Sequence, residues 1–303
     1  MRLLEPDDLT QPLALSPDED LLIHADAALA LPLLPDGAFD VIAIDPPFNT
    51  GRLRRHRRVR KTPLTVDPDA APDPAVRATT GFAGRVYSTE VVSRLAYADA
   101  HDDFLAFIAP HLQQAHRLLA AHGTLYFHID YREAHYCKVL LDDIFGRDCF
   151  LNEIVWAYDY GARTTKRWPA KHDTILVYVK DPAAYHFDGA AVDREPYMAP
   201  RLQTPERAAH GKLPTDVWWH TIVTTTGAER TGYPTQKPEG IVRRMVTASC
   251  PPGGRCLDFF AGSGTLGAVA RKLDRRFVLV DDNPEAIAVI QARLGQDAAA
   301  AGA

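Results

Sequence analysis

The chain has 303 residues, 46% of them hydrophobic, and a net charge of −5. That suffices for one large α/β domain with an inserted subdomain, and the composition is ordinary for a globular protein. No run of about 18 apolar residues predicts a transmembrane helix, and the acidic start, Met1 to Asp8, lacks the basic flank and apolar centre of a signal peptide, so a cytoplasmic location is expected.

In chain order, residues 21–26 read as a short strand ending in Asp26, and residues 39–44 as a buried strand. Asp45-Pro46-Pro47-Phe48 follows. Between Arg52 and Lys61 the chain reads RLRRHRRVRK, seven cations in ten residues; such a run is a solvated face or a grip on phosphates. Residues 62–90 are rich in Pro, Ala, Asp and Thr and predict a long loop. Helical spacing of apolar residues predicts a helix over 101–121, with Gly123 as its stop.

A strand at 124–129 ends in His128 and Asp130, which face the pocket or simply terminate the strand. A helix from 132 to 145 is expected to bury Val139, Leu140, Leu141 and Ile144. Strands are predicted at 153–158 and 174–180. Between them Arg163, Lys166, Arg167 and Lys171 alternate with Tyr158, Tyr160 and Trp168, a mixture suited to backbone gripping and stacking.

Residues 181–230 are proline-rich and weakly periodic, which suggests an irregular recognition region. Trp218, Trp219 and His220 within it anchor it to the sheet or touch a ligand. A helix at 239–249, a strand at 255–259, a glycine turn, a helix at 264–273, a strand at 276–280 and a helix at 284–294 complete the pattern. Alternating strands and helices imply a mostly parallel sheet covered on both faces. The four cysteines, Cys137, Cys149, Cys250 and Cys256, form no C-x-x-C pair and predict buried thiols, with neither metal nor disulfide.

Two stretches carry chemistry. In Asp45-Pro46-Pro47-Phe48 the prolines stiffen the backbone and remove two N–H donors. What remains is a carboxylate and carbonyl oxygens, all acceptors, beside a flat ring. That pocket suits a planar group bearing NH2, such as a nucleobase. Asp45 and the Pro46 carbonyl would accept the two amino protons and free the nitrogen lone pair for attack.

In the second stretch, 257–265, Gly262 and Gly264 let the backbone approach a ligand at a helix start. The next strand ends in Asp281-Asp282, where an acid can bind ribose hydroxyls. Gly267 sits at the third place of a G-x-G-x-x-G pattern, which keeps an NAD enzyme as a rival, though the acidic pocket has no role in hydride transfer. No Pro-Cys dipeptide occurs, which argues against a covalent route to carbon 5 of cytosine.

Taken together, IHAD (23–26), DPPFNTG (45–51), TLYFHID (124–130), NEIVWAY (152–158), KHDTILVYVK (171–180), ERTGYPTQKPEG (229–240), LDFFAGSGT (257–265) and VLVDDNPEA (278–286) resemble the β class of DNA amino-methyltransferases over residues 20–295. The resemblance implies a Rossmann-like S-adenosylmethionine-dependent fold in cyclically permuted order. Residues 1–180 would be the catalytic half with a basic loop at 52–90, 181–230 the target-recognition region, and 231–303 the cofactor half.

It further implies a catalytic set of Asp45, Pro46, Pro47 and Phe48. Cofactor contacts would come from Asp26, Asp45, Thr235, Gln236, Lys237, Pro238, Asp258, Phe260, Gly262, Ser263, Gly264, Thr265, Asp281 and Asp282. Arg52, Arg54, Arg55, Arg57, Arg58, Arg163, Lys166 and Arg167 would bind DNA. The implied reaction is methylation of adenine N6 at a short sequence in double-stranded DNA, with cytosine N4 or a non-catalytic specificity subunit as alternatives. A homodimer and a cognate restriction endonuclease are possible partners. The sequence departs from the family at Phe48, where Tyr is commoner, and at Val280, where Gly is usual.

Overall fold

A computed structural model describes residues 1–48, 52–63, 78–80, 86–99, 103–161, 163–224 and 227–300, without the side chains of 52–99 and 296–300. The chain divides into two compact units, Met1–Phe48 with Asp103–Ala303, and Asn49–Asp102.

The first unit begins with β1 (Arg2–Leu4), β2 (Leu21–His24), α1 (Ala27–Ala30) and β3 (Phe39–Ile44). The second unit contributes β4 (Arg52–Pro63), β5 (Ala78–Thr80) and β6 (Val86–Asp99), a three-stranded antiparallel sheet in the order β4-β6-β5. Residues 78–80 and 86–90 are thus strand, where a loop over 62–90 is expected from composition. Proline and alanine content hides the strands there, because antiparallel pairing along 86–99 is a non-local choice.

The first unit resumes with α2 (Phe104–Leu118), β7 (Leu119–Ile129), α3 (Ala134–Phe145), β8 (Phe150–Ala157) and β9 (His172–Val179). It ends with α4 (Pro205–His210), β10 (Val217–Trp219), α5 (Glu239–Ser249), β11 (Arg255–Asp258), α6 (Thr265–Lys272), β12 (Arg276–Asp281) and α7 (Pro284–Ala300). Among the described residues its sheet has nine strands in the order β1-β2-β12-β11-β3-β7-β9-β8-β10. Only β9 runs against the rest, pairing antiparallel with both β7 and β8.

Alternation along each strand builds two cores. Ile42, Ile44, Leu125 and Phe127 face α1, α2 and α3, whereas Val41, Ala43, Tyr126 and Cys256 face α5, α6 and α7. Strands apolar on both sides are what a sheet covered on both faces requires. The four cysteines are free and buried. Among the described residues no helix is long and apolar enough to cross a membrane.

Residues 181–230, expected as a recognition region, lie within the first unit. Trp218 is buried and donates to the Thr215 carbonyl, so it is an anchor; Trp219 is exposed. Two local expectations fail. Val139 is exposed, because the buried stripe of α3 runs through Ala134, Cys137, Leu141 and Phe145. Gly123 is no helix stop: α2 ends at Leu118, and Gly123 lies within β7. A Cβ there would stand 2.9 Å from the Phe39 carbonyl oxygen.

Gly123 is thus required by close approach of two backbones rather than by a turn. Gly123→Ala is expected to lower stability by about 1–3 kcal/mol, read as a lower urea midpoint at unchanged slope.

Candidate active site

The sheet reverses its winding between β11 and β3: chain order runs outward to β12 on one side and to β7 on the other. At such a switch point the loops after two adjacent parallel strands diverge and leave a crevice at their carboxyl ends. The β3 side carries Asp45-Pro46-Pro47-Phe48. The β11 side carries Asp258 and the turn through Gly262 and Gly264. The two stretches that stand more than 200 positions apart in sequence are therefore neighbours in space.

The glycine turn needs its glycines. Gly262 has φ +50° and Gly264 φ +70°, the left-handed region. A Cβ on Gly264 would also meet Ile290 of α7 at 2.9 Å. The Asp281 side chain, at the end of β12, accepts from Gly262 N at 2.7 Å and from Asn283 N at 2.9 Å. Asp282, one residue on, is exposed. Gly267 packs α6 onto β12, its Cβ position lying 2.8 Å from Leu279.

Asp258 is buried and accepts from Phe260 N at 3.0 Å. Burial, with repulsion from Asp45 and Asp281, pushes its carboxyl up to about 8. Burial also raises Asp281. Asp26 is exposed and caps α1, accepting from Ala28 N at 2.7 Å.

The segment 229–238 closes the crevice through contacts of its own. Gln236 accepts from Thr231 N and donates to the Glu229 carbonyl, so its side chain clasps the loop. Thr235 has φ +61°. Pro238 takes the N-cap position of α5. The Lys237 carbonyl accepts from Thr265 Oγ1, which also lies 3.1 Å from Ser263 Oγ. Beneath the turn, buried Glu239 pairs with Arg293 at 2.9 Å and with Lys272 at 2.8 Å. Arg293 also donates to the Ser263 carbonyl at 3.0 Å.

Asp45 is the meeting point. The Lys237 ammonium donates to Asp45 Oδ2, and the same ammonium lies 5.3 Å from the centre of the Phe48 ring. His128 Nδ1 lies 2.8 Å from Asp45 Oδ1, and its Nε2 lies 3.3 Å from Asp173 Oδ2. Both contacts are at ion-pair distance but off the line of a good hydrogen bond.

Phe48 stands edge-on to His128 at 5.1 Å between ring centres, and the Trp156 ring lies tilted to His128 at 5.6 Å. Tyr158 donates to Asp173 at 3.1 Å. Burial alone would raise Asp45, but the Lys237 and His128 cations outweigh it and bring the carboxyl to about 2. Burial alone would lower His128, but Asp45 and Asp173 outweigh it and raise the ring.

The loop over 158–171 lies at the edge of this cluster, between β8 and β9. Arg163, Lys166, Arg167 and Tyr160 are exposed, and Trp168 is 95% exposed. Lys171 pairs with Asp159 at 3.4 Å. The backbone positions of Arg52, Arg54, Arg55, Arg57 and Arg58 lie on β4 of the other unit, and their side chains lie outside the described part of the structure, as do residues 49–51.

Of the residues the sequence singles out, the structure brings Asp45, Phe48, Lys237, Asp258 and the glycine turn to one crevice. Sequence reasoning left His128 undecided and did not single out Asp173, Glu239 or Arg293. Only their partners, scattered along the chain, mark these out.

A sequence profile of the DNA methylase family N6_N4_Mtase matches residues 39–292. The chain belongs to this family. It is 28% identical over 274 residues to the DNA adenine methyltransferase YhdJ of Escherichia coli (strain K12), covering 88% of this chain and 79% of that one. It is 29% identical over 276 residues to the type II methyltransferase M.HpaI of Haemophilus parainfluenzae, covering 91% of this chain and 74% of the relative.

Among solved structures it resembles PvuII DNA methyltransferase (cytosine-N4-specific), with TM-score 0.60, 13% identity and 90% and 85% of the two chains covered. It also resembles the M1.HpyAVI–SAM complex, with TM-score 0.54, 17% identity and 90% and 98% covered. The methyltransferase fold follows from the strand order and these likenesses.

The Glu239–Arg293 pair supports the glycine turn from below and is almost fully withdrawn from water. Arg293→Met leaves the Glu239 carboxylate with Lys272 alone. It is expected to cost about 3–5 kcal/mol, measured by urea unfolding.

Proposed function

We propose that this DNA methylase transfers a methyl group from S-adenosylmethionine to N6 of adenine within a short DNA sequence. The observation that carries the reading is the acceptor notch. An ionised carboxylate, Asp45, sits beside a flat ring, Phe48, at the switch point where a cofactor crevice opens.

S-adenosylmethionine is the methyl donor, and when bound it supplies a methyl carbon activated by a sulfonium. The donor set of the crevice fits it. Asp258 can meet the ammonium of its methionine portion, Asp281 its ribose hydroxyls, and the side-chain-free turn at Gly262 and Gly264 gives its chain room. Asp26, at the head of α1, is assigned to its adenine, and Thr235, Gln236, Lys237, Pro238, Phe260, Ser263 and Thr265 to the surrounding wall.

On the substrate side, an amino nitrogen conjugated to a base is a poor nucleophile. Asp45 and the Pro46 carbonyl accept its two protons and draw the nitrogen toward a tetrahedral shape. Pro47 keeps the notch rigid, and Phe48 stacks on the ring. Positioning and fixed acceptors then supply most of the acceleration. A base inside a duplex is out of reach, so it must leave the stack. Lys237 now donates to Asp45 and has to yield that oxygen to the base.

The exposed cations Arg163, Lys166 and Arg167, with Trp168 and Tyr160, suit phosphate gripping and stacking. The arginines 52, 54, 55, 57 and 58 are assigned to phosphates as well, and the 181–230 region to sequence recognition. An acid at position 45 and the relation to an adenine methyltransferase favour adenine over cytosine N4.

Labelled-methyl transfer to DNA followed by base analysis tests the reading. N6-methyladenine is the expected product, and Asp45→Ala is expected to lose about a thousandfold in turnover while still binding cofactor. N4-methylcytosine would correct the base, and no transfer across sequence contexts would overturn the reading.

A second prediction concerns protons. Asp258, held near 8 in the free protein, is mostly protonated at pH 7. A cationic ammonium beside it favours ionisation. Cofactor binding is therefore expected to release a proton near pH 7, and affinity to rise by up to about tenfold per unit between pH 6 and 8. Calorimetry in buffers of different ionisation enthalpy reads both. Affinity that stays flat over that range removes the assigned partner.

A further inference from the structure

The buried imidazole of His128 has no place in the acceptor role given to Asp45, yet it is the most elaborately held side chain in the crevice. It lies between two carboxylates, 2.8 Å from Asp45 and 3.3 Å from Asp173, with Phe48 and Trp156 against its ring. The three residues come from the end of β3, the end of β7 and the start of the one reversed strand, β9. Reversal is what brings Asp173 here: Trp156 pairs with Asp173 and His128 with Ile175, so the opening residues of β9 lie beside the closing residues of β7 and β8.

We propose that His128, held as a cation between Asp45 and Asp173, is a positioning residue that keeps Asp45 ionised and oriented once Lys237 gives way to the target amine. The proposal rests on Asp45 being the amine acceptor.

The need follows from charge. Lys237 is the other cation on Asp45 and donates to its Oδ2. A neutral amino group taking that oxygen brings no charge. Asp45 then stands in a partly buried notch without the cation that had opposed its desolvation. An unpaired carboxylate there gains a proton and ceases to be an acceptor. A cation on Oδ1 prevents this without occupying the oxygen that the amine uses.

Asp173 has the corresponding task one step back. It compensates the charge on the ring, and it is itself fixed by Tyr158, which donates to it at 3.1 Å. Among the described residues the charged groups that act on the ring are these. Asp45 and Asp173 favour the imidazolium, and Lys237 opposes it. Tyr158 acts through Asp173, and Asp130 is tied to Arg132 and acts on Tyr158.

A raised ring loses its proton as pH rises, so the device predicts an alkaline limb in the methyl-transfer step. With the full chain, the His128 ring is followed by NMR across pH 5.5–9, and single-turnover transfer to DNA is measured over the same range, in wild type, Asp173→Asn and His128→Phe. In wild type the ring is expected to titrate above the usual value of about 6.5, with the alkaline limb at the same midpoint. Asp173→Asn is expected to move both midpoints down together by about a unit or more. His128→Phe is expected to lose about a hundredfold at pH 7 and to lose the limb, with cofactor affinity retained.

Two results overturn the proposal: a wild-type ring that titrates at or below the usual value, or an Asp173→Asn rate profile that coincides with that of wild type. Should His128→Phe not fold, the Asp173→Asn pair of titrations decides alone. A wild type that transfers no methyl overturns the reading of the reaction instead, and the ring titration still decides whether His128 is held charged.

Discussion

The crevice is governed by a concentration of acidic side chains. Asp45, Asp173, Asp258 and Asp281 all lie where strand ends crowd together, and among the described residues Lys237 and the imidazole of His128 are set between them, with His24 acting on Asp281. Burial strengthens every repulsion between these acids. The protein resolves the conflict differently at each position. Asp45 is paired and stays ionised. Asp258, buried beside other acids, has its carboxyl pushed up to about 8. Asp281 spends both oxygens on backbone N–H groups. A site arranged in this way gains by accepting a cationic ligand and an amine donor, because each relieves a charge or fills an acceptor already in place.

Topology explains why the acids can gather at all. A parallel sheet points all its carboxyl ends one way, and the reversal of winding between β11 and β3 opens the floor between them. The single antiparallel strand, β9, then adds the start of a strand to a rim otherwise made of strand ends. Asp173 enters from a direction that no parallel strand could supply. The exposed Arg163, Lys166, Arg167 and Trp168 belong to the β8–β9 connection, which starts from the Tyr158 that donates to Asp173.

Much of this is legible in the sequence where the signal is local. The helix over Glu239–Ser249 and the strand over Phe39–Ile44 have the expected bounds, because apolar periodicity and the flanking prolines and glycines agree. The glycine turn is readable for the same reason. Errors arise where one residue type serves two physical ends. Gly123 reads as a helix stop, but it is needed because the β3 backbone passes within reach of any Cβ. Val139 reads as core, because the helical stripe can be drawn one position off without changing its period.

Side chains whose meaning depends on a distant partner are not legible in this way. His128 at a strand end is ambiguous until Asp45, 83 positions earlier, and Asp173, 45 positions later, stand on either side of it. Glu239 looks like an ordinary acid in the first turn of a helix, where it would favour the dipole. Its burial against Arg293 and Lys272 instead makes it the tie between α5, α6 and α7. Both cases have one cause. A charge taken out of water must be compensated nearby, so its partners are dictated by the fold and not by its sequence neighbours.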